Sequence, residues 1–266
     1  MPLVYRDRTE QLIRGFFVVQ NEVGLGRDEE AYHQAYAIWS KEEGLPVLSK
    51  PKVALLVSNM EAHKLYPDFV AWNEISIEMK ALPRKLGSSE ELQLFDYLRA
   101  RGDRLGIVVN MGLDRVHFER RIFDAPETSL VEDWSAWTNS ITAEDRDIGM
   151  AIRHALHMVY DAHRTGYSLA VTEKLVLGGL AAQRLSVIVK PVAKAMFHHH
   201  LVHESALECF VIEGRFVLTL TAQFDSNEFS KSLGLSHMKT LNVPWGVAAN
   251  FGRTELQLTA LKYRET

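Results

Sequence analysis

The stretch that decides the fold covers residues 68–81 and reads DFVAWNEISIEMKA. In its second half, apolar and polar residues alternate strictly, which predicts a strand with one buried face. The run before it predicts another strand, and a turn centred on Asn73 joins the two into a hairpin. In that register Asp68 lies directly across from Glu78, and Lys80 projects to the same face as Glu78.

These three side chains have the chemistry of a metal site. Facing residues of a hairpin have Cβ atoms about 4.5–5.5 Å apart, so the like charges of Asp68 and Glu78 would repel. A divalent cation would convert that repulsion into attraction, and hard oxygen ligands suit Mg²⁺. Lys80 could polarise a metal-bound water or steady a phosphate oxygen. An acid followed by Glu-x-Lys is a loose pattern, and an ordinary solvent-exposed strand face is the alternative for this stretch alone.

The composition is that of a soluble globular protein. Of 266 residues, 47% are hydrophobic and 24% are charged, which argues against intrinsic disorder. A net charge of −4 excludes a globally basic nucleic-acid coat. A single cysteine excludes an intrachain disulfide, and no stretch approaches the roughly 18 apolar residues of a membrane span. The amino terminus has no apolar signal-peptide core, so we expect a cytoplasmic protein without membrane partners.

The chain contains an internal repeat. Residues 106–112 read GIVVNMG and residues 246–252 read GVAANFG, and each predicts a buried strand closed by an Asn-x-Gly turn. In both halves, two helices, three extended segments and a third helix precede this strand, and an alternating strand follows it. We therefore predict an α/β fold of two tandem domains, residues 1–124 and 144–266, joined by a linker over residues 125–143. Each domain is expected to be a central mixed sheet flanked by helices.

Further residues of the first half complete a recognisable pattern. They are Gly26, Glu29, Tyr32, Gln93 and Tyr97. The glycine precedes a predicted helix that carries the glutamate and the first tyrosine one turn apart, and the other two residues share a helical face. Together with the acid and the Glu-x-Lys of the hairpin, they resemble the GxxExxY protein family, a compact branch of the PD-(D/E)XK nuclease superfamily. The resemblance covers about residues 10–124.

The resemblance implies metal-dependent hydrolysis of a phosphodiester bond. Asp68 and Glu78, joined by the backbone carbonyl of Met79, would hold Mg²⁺, with Mn²⁺ as an alternative. Lys80 would orient or activate the attacking water. The metal would lower the pKa of water and offset charge on the scissile phosphate. The substrate would be nucleic acid, with DNA expected.

The same resemblance implies supporting roles for other residues. Glu29 would reach the site directly or through water, and Gln93 would lie near the metal or the phosphate. Tyr32 and Tyr97 would hydrogen-bond in the site, or else pack beneath the helices.

Two basic residues close to the hairpin are candidate nucleic-acid contacts. Arg84 and Lys85 follow Lys80 closely, and their removal would weaken binding and its dependence on salt. The alternative is that both are ordinary solvated charges.

The second half has lost the candidate chemistry. When Phe69 is aligned with Phe210, Cys209 takes the place of Asp68, and Thr219 and Thr221 take the places of Glu78 and Lys80. Leu169 takes the place of Glu29, and Gln93 falls near Leu233. We predict a degenerate, pseudo-nuclease copy that packs on the first half as an intramolecular pseudo-dimer and has a structural or binding role. Cys209 is expected to be a packed thiol, and the histidine-rich run over residues 197–203 to be structural or exposed.

Two functions from different classes remain open. The first is a metal-dependent nuclease with one active site per chain. The second is a catalytically silent nucleic-acid-binding or protein-interaction module, for example in DNA repair or phage defence. The intact residues of the first half favour the nuclease, because drift has erased the same set in the second half.

Overall fold

The computed structural model describes residues 4–138, 140–223 and 225–263. The chain divides into two compact units. The first contains the residues up to Ala54 together with Lys64–Ala125, and the second contains Leu55–His63 together with the residues from Pro126 onward. The outer ends of the predicted domains, residues 1–3 and 264–266, and one residue of the predicted linker, 139, lie outside the described residues. None of the described helices is long and apolar enough to cross a membrane.

The first part of the chain alternates helices and strands. Its helices are α1 (Arg6–Val23), α2 (Glu29–Glu42) and α3 (Ser88–Arg101). Its strands are β1 (Val47–Ser49), β2 (Val53–Val57), β3 (Met60–Leu65), β4 (Phe69–Ala71), β5 (Ile75–Lys80), β6 (Leu105–Asn110) and β7 (His117–Ile122). Apart from β3 and the short β1, these elements occur where the sequence predicts them.

The first unit is built on a mixed five-stranded sheet in the order β1-β4-β5-β6-β7. Strands β5 and β6 are parallel, and the other neighbours are antiparallel. Helices α1 and α2 pack on one face, where Phe16 and Tyr36 join a core with Ile77. Helix α3 covers the other face through Leu94 and its contact with Val108. The predicted mixed sheet flanked by helices is confirmed.

The second unit contains a mixed six-stranded sheet. Its helices are α4 (Ala143–His163), α5 (Leu169–Ala182) and α6 (Glu228–Leu241). Its strands are β8 (Ser129–Asp133), β9 (Val187–Val189), β10 (Val192–Phe197), β11 (His200–Ala206), β12 (Phe210–Ile212), β13 (Phe216–Ala222), β14 (Trp245–Phe251) and β15 (Glu255–Lys262). The sheet order is β8-β15-β14-β13-β12-β9, with β13 parallel to β14.

The segment expected to be a linker is structured. Residues 129–133 form β8, which pairs in parallel with β15, and a short 3-10 helix follows over Ser135–Trp137. The Trp137 ring is buried, and its Nε1 donates a hydrogen bond to the carbonyl of Leu261 at 3.1 Å. The sequence interpretation of residues 125–143 as a connector is therefore wrong over much of its length, because it read weak local periodicity as absence of structure.

The cysteine and the histidines of the second unit behave as the sequence predicts. Cys209 is buried, and burial raises the pKa of its thiol to about 12, so it is a packed thiol. Residues 198–200 lie at the tip of the β10–β11 hairpin, and every residue of β11 is exposed. Among the described residues, no three His, Cys, Asp or Glu side chains form a group that could hold a metal ion.

Candidate active site

A tight turn sets the register of the hairpin that carries the candidate carboxylates. Trp72 and Asn73 both have positive φ, 49° and 55°, and Glu74 N donates to the carbonyl of Ala71 at 3.0 Å. Two left-handed residues make the turn whose twist matches that of an antiparallel pair. In the resulting register, Phe69 faces the residue just before Glu78. Asp68 therefore comes directly opposite Glu78, the register that the sequence predicts.

Asp68 is held at both its backbone and its side chain. Its Oδ2 accepts a hydrogen bond from Met79 N at 2.7 Å. Its carbonyl accepts from Lys50 N at 2.8 Å and lies 3.3 Å from His33 Nε2. The His33 ring stacks on Phe69, with ring centroids 4.3 Å apart. The position of Asp68 is thus fixed by groups from α2 and from the β1–β2 connection.

Sequence reasoning missed His33 and Lys50. One available signal for His33 was its spacing from Glu29, four residues earlier on the same helical face. No local signal pointed to Lys50, because its contact with Asp68 is made by the backbone. Its ammonium pairs with Glu30 at 2.8 Å, and the charges of Asp68 and Glu29 also raise its pKa.

Lys80 lies among the carboxylates. Its Nζ donates to Glu78 Oε1 at 2.5 Å and is 3.8 Å from Glu29 Oε1. Glu78 is buried at 2% exposure, whereas the side chain of Glu29 is 45% exposed. Lys80 thus lies between a buried acid, Glu78, and a half-exposed acid, Glu29.

Carboxyl groups outnumber ammonium groups at this site, since Asp68, Glu78 and Glu29 lie around Lys80, and the more distant Lys50 is paired with Glu30. Burial, followed by the charge of Asp68, raises the pKa of Glu78 to about 8. Burial also raises the pKa of Glu29, against the opposing effect of Lys80. Burial alone would lower the pKa of Lys80, but the charge of Glu78 and its hydrogen bond outweigh it and raise that pKa. The lysine therefore keeps its proton, and a further positive charge would be favoured here.

The residues present offer two carboxyl groups to a divalent cation, with no third His, Cys, Asp or Glu side chain grouped with them in the described part of the chain. Glu78 Oε2 is buried and has no hydrogen-bond partner among the described residues. An unpaired buried carboxylate oxygen is costly unless a cation or a proton satisfies it. Asp68 supplies a second carboxylate from across the hairpin, and oxygen ligands of this kind suit Mg²⁺.

Helix α3 adds a polar pair beside the carboxylates. Gln93 Nε2 donates to the hydroxyl of Tyr97 at 2.7 Å. Burial, followed by the charge of Glu78, raises the pKa of Tyr97, so its hydroxyl stays protonated. Gln93 and Tyr97 thus lie together on the helical face that the sequence predicts. Tyr97 is close enough to Glu78 for the charge of the carboxylate to raise its pKa.

Two of the predicted site residues have other partners. Tyr32 is fully buried in the core, and its hydroxyl donates to the carbonyl of Gly24 at 2.7 Å, so it has the packing role and not the accessory one. Arg84 pairs with Glu90 through two hydrogen bonds of 2.9 and 3.1 Å. Lys85 has an exposed side chain.

The comparison with protein families bears directly on this part of the chain. Residues 6–122 match the model of the PD-(D/E)XK nuclease superfamily. The match runs from the first residue of α1 to the last residue of β7, and so takes in every described residue assigned to the site. Members of this superfamily are generally nucleases, which supports a nuclease-type enzyme.

No curated protein matches the chain. Among solved structures, the crystal structure of SSO0001 is similar at 19% sequence identity and a TM-score of 0.29, over 35% of this chain. The matched region spans 50% of that protein, and a likeness of this size supports no conclusion about the present chain.

Proposed function

We propose that the first unit hydrolyses phosphodiester bonds of nucleic acid, with DNA as the substrate and Mg²⁺ or Mn²⁺ as cofactor. The observation that carries this proposal is the buried Glu78, with an unsatisfied oxygen, opposite Asp68 and hydrogen-bonded to Lys80. The superfamily match over residues 6–122 supports it, because nucleases of this kind typically use divalent metal ions. Within the superfamily, Gly26, Glu29 and Tyr32 favour the GxxExxY branch.

The cation would be held by Asp68, Glu78 and the backbone carbonyl of Met79. When bound, it would supply a lowered pKa for water and stabilisation of charge on the scissile phosphate. Lys80 keeps its proton, so it acts as a hydrogen-bond donor that orients the attacking water or a phosphate oxygen. The side chain of Glu29 is half-exposed, so it would be able to accept a hydrogen bond from the water.

Residues of α3 and of the segment before it would contact the substrate. The Gln93 amide and the protonated Tyr97 hydroxyl act as hydrogen-bond donors beside the carboxylates. Lys85 is the better phosphate contact of the two basic residues, because Arg84 is engaged with Glu90. Removal of Lys85 should reduce the slope of the logarithm of the binding constant against the logarithm of salt concentration by about one.

The second unit is a degenerate copy of the first within this proposal. The sheet β15-β14-β13-β12-β9 has the strand order and orientations of β7-β6-β5-β4-β1. Its register pairs Phe210 with Leu218, as Phe69 pairs with Ile77. This correspondence puts Cys209, Thr219 and Thr221 at the positions of the acid, the glutamate and the lysine.

The positions of the lost ligands in the second unit are buried. Thr219 and Thr221 are 0% and 3% exposed. Thr221 Oγ1 donates to Asn250 Oδ1 at 3.0 Å, and Thr219 Oγ1 lies 3.3 Å from His237 Nδ1. Threonine hydroxyls that bond to a neighbouring amide and imidazole offer no carboxylate to a cation, which supports a structural or binding role for the unit.

The test combines metal binding with nucleic-acid cleavage. Wild type, Asp68→Asn, Lys80→Met and Cys209→Ala are compared for Mg²⁺ binding by calorimetry and for cleavage of double-stranded DNA, single-stranded DNA and RNA. Cys209→Ala is the matched control, because it changes the corresponding position of the second unit. We expect cleavage to fall by at least about 10²-fold in Asp68→Asn and Lys80→Met, and Mg²⁺ binding to be lost in Asp68→Asn only.

Equal cleavage by all four proteins would rule out this site. Mg²⁺ binding that depends on Asp68 without cleavage of any substrate would instead indicate a catalytically silent nucleic-acid-binding module.

A further inference from the structure

Asn110 ends β6 beside the strand end that carries Lys80, with which it is paired in the parallel register. Its side chain is fully buried. Its Oδ1 accepts hydrogen bonds from Leu82 N at 2.9 Å and Gly112 N at 3.0 Å. Its Nδ2 donates to the carbonyls of Leu82 at 3.1 Å and Arg84 at 2.8 Å. Both acceptor and both donor positions of the amide are used, and three of the four bonds reach the segment that follows Lys80.

The next two residues act on the same segment. Met111 N donates to the carbonyl of Lys80 at 2.7 Å. A Cβ atom on Gly112 would lie 2.6 Å from backbone atoms of Ala81 and Leu82, closer than packed atoms approach. The Asn-x-Gly sequence is thus more than a turn that ends a strand. It holds the connecting segment, residues 81–87, against the end of β6.

The far end of the connecting segment is tied to α3. The Arg84 guanidinium binds Glu90 in the first turn of the helix, and Glu90 Oε2 also accepts from Gly87 N at 2.7 Å. The same helix carries Gln93 and Tyr97. A continuous set of contacts therefore runs from the Asn110 amide, through the connecting segment, to the helix that completes the site.

We propose that Asn110 is a positioning residue, which fixes Lys80 relative to α3 for the hydrolysis proposed above. The inference rests on that proposed function. Aspartate has the same size but only acceptor oxygens, which would repel the carbonyls of Leu82 and Arg84. Asn110→Asp should therefore release the connecting segment while leaving every group that contacts substrate chemically unchanged.

Limited trypsin digestion tests the placement of the segment without reference to activity. Trypsin cleaves after Arg and Lys, and Arg84 and Lys85 lie within the segment. We expect Asn110→Asp to be cut at these two bonds about tenfold faster than wild type, since local bonds that protect the backbone are lost. Asn250→Ala alters the corresponding asparagine of the second unit, and it should leave these two cleavage rates unchanged. Unchanged rates in Asn110→Asp would overturn the inference.

Kinetics then separate positioning from general destabilisation. At a temperature where both variants are fully folded, kcat of Asn110→Asp should fall on the order of 10²-fold, because Lys80 is displaced from the reacting groups, whereas a rise in KM would report on Lys85, which lies in the released segment. A kcat no lower than that of Asn250→Ala would contradict a positioning role.

Should Asn110→Asp not fold, the same two measurements on Gly112→Ala decide, since the added Cβ displaces the same segment by crowding. If wild type cleaves no nucleic acid, the proposed function fails, whereas the trypsin comparison still decides whether Asn110 places the segment.

Discussion

Asp68 and Glu78 place like charges at facing positions of a hairpin, an arrangement that destabilises a sheet. Asp68→Asn removes one charge and keeps an oxygen that can accept from Met79 N. At a pH above about 8, where Glu78 is ionised, we therefore expect the free energy of unfolding in metal-free buffer to rise by about 1 kcal/mol, measured by urea denaturation. The same change should abolish cleavage.

The matched control for this stability change is Cys209→Ala, which removes a buried thiol and should lower the free energy of unfolding. A lower stability of Asp68→Asn would show that its charge is already neutralised by Lys50 and Lys80.

Glu132 makes the stability of the second unit depend on pH in the acidic range. Hydrogen bonds lower the pKa of Glu132 to about 2, and the largest contribution comes from Arg153. His157 and Trp134 lower this pKa further, whereas burial raises it. Because the folded-state pKa lies below its usual value, the contribution to stability is present above about pH 5 and is lost as the pH falls towards 2. Partial exposure reduces this contribution to on the order of 1–2 kcal/mol.

The measurement is the melting temperature of wild type and Glu132→Gln between pH 2.5 and 7. The difference between the two proteins should be largest near neutral pH and should shrink on acidification. A difference that is constant with pH would show that the pairing with Arg153 and His157 adds no stability.

At the scale of elements, α1 and α2 approach each other closely at Gly15. A Cβ atom there would lie 2.1 Å from the ring of Trp39. In an isolated helix, Gly→Ala stabilises by about 0.5–1 kcal/mol. Overpacking usually costs about 1–3 kcal/mol, so we expect Gly15→Ala to lower the free energy of unfolding by about 1–2 kcal/mol. Chemical denaturation of the purified variant checks this.

A double-mutant cycle identifies the contact responsible. Combined with Trp39→Leu, Gly15→Ala should become neutral or stabilising, with a coupling energy above about 0.5 kcal/mol. If the effects of Gly15→Ala and Trp39→Leu on the free energy of unfolding were additive, contact between these two residues would not be the cause of the destabilisation.

Most helices could be predicted because their apolar faces are local patterns. The strands that were missed depend on distant partners or lack an apolar face. Every residue of β11 is exposed, and β8 has its partner β15 at the other end of the unit. Neither arrangement leaves a periodic signal in the sequence, and this is why the structured segment 125–143 was interpreted as a linker.

The site was predictable where backbone geometry dictates it. The turn at Asn73 determines that Asp68 faces Glu78, and strand alternation puts Lys80 on the same face. The partners of Tyr32 and Arg84 could not be deduced, because a hydroxyl or a guanidinium finds its acceptor only once the chain has folded. The side-chain amide of Asn110 binds backbone groups of Leu82, Arg84 and Gly112, and residue type alone does not reveal which backbone groups an amide will meet.

At the scale of the whole molecule, the second unit contains a segment from early in the chain. His163 Nε2 lies 2.8 Å from the carbonyl of Leu56, and a Cβ on Gly178 would lie 2.5 Å from that of Ala62. Leu55 and Val57 are 2% and 0% exposed.

We therefore expect the fragment 126–266 alone to be at least about 2 kcal/mol less stable than the second unit of the full chain. Urea denaturation of both proteins checks this, and a peptide of residues 53–65 should raise the melting temperature of the fragment. The scrambled peptide is the control, and a fragment as stable as the full chain would contradict the expectation.

The same segment has a consequence during synthesis. Leu55–His63 leaves the ribosome long before the last strand of its own unit has been made. At about 5–20 residues per second, the delay is on the order of 10–40 s. Until α4 and α5 have been made, this segment lacks the helices that contact it, so the nascent chain offers apolar side chains to any chaperone at the exit tunnel. The order of translation, and not only the final fold, thus determines when this molecule is vulnerable to aggregation.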